Sequence, residues 1–158
     1  MNRFAFRPPV LYLVVGVLAG CAAVPTEPAL RLIVTPAQAD TWASEREIPP
    51  GLDGPYWHPP DSLVRRVDRA LLHRLPSVST PRPDGLRGID GYGIQYLGYT
   101  RDGRRLVHAN GFCDWRSRKL DPREHWLVTF DGGGCFFGAT YDPVEGRLVG
   151  FDSNTNAD

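Results

Sequence analysis

The sequence predicts an α+β fold: one N-terminal helix packed on a four- to five-stranded antiparallel sheet, with one disulfide. Three observations carry this. Apolar side chains recur every third or fourth position over residues 61–75. Five segments of strand composition, separated by turn residues, follow from Gly93 onward. Of the three cysteines, Cys113 and Cys135 fall among those segments, while Cys21 lies beside an apolar leader.

The helix is the best-defined element. Leu63, Val67, Leu71 and Leu75 repeat every four residues, and Val64 and Ala70 widen the stripe. Arg65, Arg66, Asp68, Arg69 and Arg74 occupy the remaining positions. Pro59 and Pro60 precede the helix, Asp61 sits near its positive end and Arg74 near its negative end. Pro76 stops it. The basic outer face is either solvated or a partner surface. Residues 77–91 then read as loop.

Segments 93–100 and 104–113 flank Arg101-Asp102-Gly103, a hairpin signal. Segments 125–130 and 135–141 flank Asp131-Gly132-Gly133-Gly134, a second one. Asp142-Pro143-Val144-Glu145-Gly146 reads as a type I turn closed by glycine and leads into residues 147–151. Alternation assigns inward faces: Val107, Ala109, Gly111 and Cys113; Trp126, Val128 and Phe130; Cys135, Phe137, Ala139 and Tyr141; Val149 and Phe151. A helix laid on one face of such a sheet buries both apolar surfaces. The outline resembles the cystatin-like and NTF2-like folds in shape, with no motif attached. A plain meander puts Cys113 and Cys135 at opposite ends of the sheet, too far apart to bridge. The disulfide therefore requires another strand order, or a link over 114–123 that carries the chain back.

The amino terminus reads as an export signal. Arg3 and Arg7 precede a short apolar run over 10–18, and small residues follow. That run is shorter than the ~20 residues a spanning helix needs. Leu18-Ala19-Gly20-Cys21 resembles the lipobox of bacterial lipoproteins. The resemblance implies cleavage before Cys21, acyl chains such as palmitate on that cysteine, and a membrane-anchored chain facing the periplasm. Ala22 after the cysteine, rather than aspartate, implies sorting to the outer membrane. In an oxidising compartment the remaining pair, Cys113 and Cys135, is expected as a disulfide rather than as a nucleophile with a histidine base.

The domain plan is then a leader over 1–20, an acylated, proline-rich tether over 21–59, an α+β domain over 60–153 and a polar tail over 154–158. Prolines at 25, 28, 36, 49, 50, 55, 59 and 60 favour extended chain in the tether. Residues 29–35 have strand composition that suits docking on a sheet edge, and Trp42, Tyr56 and Trp57 suit packing of the tether's far end.

Charge narrows the functional classes. Eighteen basic residues balance eighteen acidic ones, and losing Arg3 and Arg7 with the leader tips the chain acidic, so no basic excess drives nucleic-acid binding. The histidines at 58, 73, 108 and 125 are scattered without metal-ligand spacing, so neither a metal nor a cofactor is expected. No catalytic set is assigned; His108, Asp114 and His125 are the one group from which a cofactor-free hydrolase could be assembled. Trp115, Phe136, Tyr96 and Tyr99 are the expected interaction surface, on a sheet face left bare by the helix; the alternative is that the proline-rich tether covers that face. The expected function is a lipid-anchored envelope module that binds or inhibits a protein. The alternatives are an envelope assembly accessory working by strand addition, and the hydrolase.

Overall fold

The computed structural model describes residues 29–75, 86–113, 119–128 and 133–153. The strands are β1 (Arg31–Ile33), β2 (Tyr56–Trp57), β3 (Gly93–Arg101), β4 (Arg104–Phe112), β5 (Phe136–Asp142) and β6 (Arg147–Ser153). The helices are α1 (Pro36–Ser44) and α2 (Asp61–Leu71). The fold is α+β with one disulfide, Cys113–Cys135.

α2 forms where its apolar stripe predicts. Leu63, Val64, Val67 and Leu71 are buried, and a closing turn brings the Leu75 N–H to the Leu71 carbonyl at 2.7 Å, burying Leu75 as well. The Asp102-Gly103 turn has φ of 52° and 74°, the two left-handed residues of a type I′ hairpin. β3 and β4 consequently pair along their whole length, from Gly93 opposite Phe112 to Arg101 opposite Arg104. At the next turn the Asp142 carboxylate accepts from the N–H groups of Val144 (2.8 Å) and Glu145 (3.0 Å), and Gly146 closes it at φ 68°.

The sheet differs from the expected four- to five-stranded antiparallel one. It has six strands in the order β1-β3-β4-β5-β6, with β2 also on β3. β1 runs parallel to β3 over Ile94–Tyr96, and β2 pairs antiparallel with β3 at Gly98 and Tyr99. Residues 125–128 form no strand, which corrects the expected strand over 125–130; residues 129 and 130 lie outside the described residues. β4 therefore pairs directly with β5. That pairing brings Cys113 and Cys135 to the same end of the sheet, with Cα atoms 5.0 Å apart and the Cys113 N–H 2.9 Å from the Cys135 carbonyl. The strand order thus removes the conflict between disulfide and meander.

Both faces of the sheet are covered. α2 lies on one, packing Leu63, Val67, Leu71 and Leu75 against Ile94, Tyr96, Val107, Ala109, Phe137, Ala139 and Tyr141. On the other, Val34, Ala39, Trp42, Ile48 and Leu52 pack with Trp126 against Leu97, Tyr99 and Leu106. The second layer comes from the stretch expected to be tether. Thr35 caps α1 reciprocally: its Oγ1 accepts from Gln38 N–H (3.3 Å) while Gln38 Oε1 accepts from Thr35 N–H (3.1 Å). Pro36 supplies the first helical residue without losing a bond. The proline-rich stretch over 31–57 is thus an integral layer rather than free chain. In β6 a bulge at Val149, opposite Thr140 and Tyr141 of β5, shifts the alternation, so Leu148 and Phe151 pack toward α2 while Val149, expected inward, is exposed.

Candidate functional site

Three of the four residues of the expected interaction surface are buried. Tyr96 and Tyr99 are fully buried on opposite faces of β3, and Phe136 packs with Phe112 and Leu127. Tyr99 lies beneath α1 and its flanking loop, which cover the face expected to be bare, and Tyr96 lies beneath α2. Trp115 and Cys21 lie outside the described residues. No helix among the described residues is long and apolar enough to cross a membrane.

What replaces the absent strand is a strap, residues 121–128, laid across the sheet face. Gln95 and Asn110, directly opposite each other on β3 and β4, hold it. Gln95 Nε2 donates to the Pro122 and His125 carbonyls, each at 2.7 Å. Gln95 Oε1 accepts from Leu127 N–H (3.2 Å) and from Asn110 Nδ2 (3.0 Å), which also donates to the Leu127 carbonyl at 2.8 Å. From the outer side, Trp42 Nε1 donates to the Glu124 carbonyl (2.7 Å), and the Glu47 carboxylate accepts from Trp126 N–H (3.0 Å). Two buried amides on otherwise apolar strands were the sequence signal for this strap. Buried amide side chains need partners, and an unpaired loop backbone supplies them.

The two histidines of the expected catalytic group have separate partners. His125 Nδ1 lies 2.9 Å from Glu47 Oε1, and that hydrogen bond raises its pKa above the usual 6.5. His108 packs against the Trp126 ring and sits 3.4 Å from Thr140 Oγ1; burial pushes its pKa down to about 4. It borders a small cavity of about 110 Å³ that Asn110, Trp126, Phe136 and Asp152 also line. Asp114 lies outside the described residues.

These shifts have opposite consequences for stability. His108 unfolded titrates near 6.5 and folded near 4, so the unfolded state binds the extra proton between those values. Its contribution is complete above pH 6.5 and is lost as pH falls toward 4, by about 3 kcal/mol in all. His125 has the raised folded pKa, so its contribution is complete below pH 6.5 and disappears as pH rises through the folded value. Urea midpoints measured against pH are expected to peak near 6.5, and His108→Gln should flatten the acid limb. A wild-type midpoint unchanged between pH 6.5 and 5 would contradict the assignment of His108.

The larger concavity lies on the opposite face, between α2 and β6. It is a groove of about 650 Å³ lined by Arg66, Arg69, Ala70, His73, Arg74, Tyr141, Gly146, Arg147 and Leu148. Arg66 and Arg69 are three residues apart, so they share one side of α2, and His73 follows in the turn that closes the helix. Arg66 Nη2 donates to the Pro143 carbonyl (3.2 Å) and its guanidinium lies over the Tyr141 ring, while that of Arg74 lies over Phe151. The Asp142 turn places Arg147 at the groove's edge, where it pairs with Glu145 at 2.6 Å. Glu145 also binds Arg104 at 2.7 Å, a contact that holds its carboxyl below the usual range. Glu145 stands outside the groove, and none of the lining residues is acidic. The side chains of Arg69 and His73 have no hydrogen bond or ion pair among the described residues. The sequence puts Arg66, Arg69 and Arg74 on the outer face of the helix, but the opposing wall, Tyr141 and Gly146 to Leu148, depends on β5 and β6 and was not visible there.

No protein-family model matches the chain, and no curated protein or solved structure matches it.

Proposed function

We propose that the chain is a lipid-anchored envelope protein whose folded part binds a protein partner through the groove between α2 and β6. The observation that carries the reading is the groove's lining: four arginines and a histidine around a floor formed partly by Tyr141 and Leu148, with no carboxylate among them. Concentrated positive charge beside apolar area sets up a positive potential that complements an acidic patch on another protein. Arginine and tyrosine are also the side chains most enriched where binding energy concentrates. Export and anchoring rest on the leader and on Leu18-Ala19-Gly20-Cys21. Lipid on Cys21 would hold the groove near the membrane, where two or more acyl chains give stable attachment. The disulfide fits maturation in an oxidising compartment.

Two measurements check this. The intact mass of chain purified from its own cells should show a diacylglyceryl-modified Cys21 at the amino terminus; an unprocessed, unmodified terminus contradicts the anchor. Immobilised full-length chain is then compared with Arg69→Glu/Arg147→Glu and with a control of equal charge change, Arg101→Glu/Lys119→Glu, whose sites are exposed and outside the groove. The wild type and control should retain a stoichiometric envelope protein that the groove variant holds at least tenfold more weakly. Equal retention by all three chains, or none by the wild type, contradicts the reading.

A further inference from the structure

We infer that the small cavity beside the strap binds a primary ammonium group, seated over Gly138 between the side chains of Asn110 and Asp152. This site is separate from the groove and stands on the other face of the sheet. Asn110, Gly138 and Asp152 lie opposite one another on β4, β5 and β6, so they share that face. Neighbouring strands are about 4.8 Å apart and glycine supplies no side chain, which leaves a gap roughly 10 Å wide at the backbone between the outer two. His108 leans over the same glycine: a Cβ at that position would stand 3.2 Å from its Cε1 and 3.4 Å from its Nε2. Trp126 and Phe136 complete the walls of a space of about 110 Å³, with room for several water-sized groups.

The polar atoms that this space offers are acceptors. Both N–H groups of the Asn110 amide are taken, by Gln95 Oε1 at 3.0 Å and by the Leu127 carbonyl at 2.8 Å, which fixes the amide's orientation. Its Oδ1 is left without a donor among the described residues, on a residue only 9% exposed. The Asp152 carboxylate likewise has no hydrogen bond or ion pair among the described residues. Burial keeps His108 neutral near pH 7, so no positive charge on the lining residues answers that carboxylate. A buried acceptor needs a donor, and a carboxylate beside it favours a donor that carries positive charge. An ammonium has three donors and no acceptor, which matches this set better than a hydroxyl or an anion does. The aromatic walls suit a short alkyl stem and attract the charge at its end. Among the described residues no three His, Cys, Asp or Glu side chains come together here, fewer than a typical metal site uses. The ammonium belongs either to a free amine or to a lysine of another protein.

The test titrates nitrogen-15-labelled full-length chain with n-butylamine at neutral pH, followed by NMR. The Asn110 side-chain amide and the Trp126 indole should shift and saturate at millimolar concentration, while the Trp57 indole, away from the cavity, stays fixed. 1-Butanol, of similar shape without the charge, should bind at least tenfold more weakly, and butyrate should not bind. Asp152→Asn should weaken the amine at least tenfold. Asp61→Asn, an equal charge change at the start of α2 on the other face, should leave it unchanged. Gly138→Ala keeps every charge but fills the space, so it should also weaken binding at least tenfold. Urea midpoints check that the variants fold; if Gly138→Ala does not, Asp152→Asn decides. Acetylated, amidated lysine separates the two sources: affinity equal to butylamine's supports a protein lysine, and weaker binding supports a free amine. The absence of a saturable shift with butylamine overturns the inference. So does equal binding of butanol, unchanged affinity in Asp152→Asn or in folded Gly138→Ala, or displacement of the amine from these signals by calcium or zinc ions.

Discussion

Replacing Gln95 with leucine is expected to destabilise the protein by about 3–5 kcal/mol, because each buried polar group left unpaired costs roughly 1–3 kcal/mol. The side chain is fully buried and satisfies the Pro122 and His125 carbonyls, Leu127 N–H and the Asn110 amide together. Leucine fills much of the same space and removes all four partners at once. Some of the freed groups regain water as the strap lifts, which keeps the total below the sum of the parts. Urea unfolding measures the loss, and hydrogen exchange should show the amide of Leu127 exposed before the sheet opens. A loss below 1 kcal/mol would mean that the strap is held by its apolar contacts alone.

Reduction of Cys113–Cys135, or replacement of both by alanine, is expected to cost about 3 kcal/mol, the loop-closure value for a bridge of this span. The bridge closes a separation of 22 residues and ties the end of β4 to the start of β5. Those residues include the strap, so the unfolded chain gains freedom in the segment that Gln95 must capture. With a urea slope of about 1–3 kcal/mol per molar, the midpoint should fall by at least 1 M. An unchanged midpoint under reducing conditions would show that the bridge adds nothing beyond the β4–β5 ladder. Because both changes act on the strap, the combined variant should lose less than the two losses added together.

Local signals carried through to the structure where one element explains itself. The four-residue repeat of α2, the Asp102-Gly103 hairpin and the Asp142 turn all have their cause within a few residues, and each stands where the sequence puts it. The inward faces of β4 and β5 were likewise legible, since alternation follows from the pleat. The failures share a different cause. Trp126 and Val128 alternate in sequence, yet Trp126 and Leu127 are both buried and Val128 is exposed, a pattern set by lying flat across a sheet. The amides that hold that backbone come from β3 and β4, some thirty and seventeen residues away in sequence. α1 was obscured by proline density, although Thr35-Pro36-Ala37-Gln38 contains the spacing of a capping box and a proline suited to the first turn. Without α1 the second sheet face reads as bare or tether-covered, and the structure takes the second course: Tyr99 is buried beneath α1 and Tyr96 beneath α2. The groove was half visible: Arg66, Arg69 and Arg74 belong to the predicted helical segment, while the opposite wall with Arg147 requires the order of the sheet.

The claim that this groove is where the protein meets its partner is tested most directly by photo-crosslinking in living cells. A benzoylphenylalanine replaces His73, which lines the groove, or Lys119, which is exposed away from it. The account predicts a discrete crosslinked protein from position 73 and none from position 119. A product from position 119 alone, or from neither site, would contradict it.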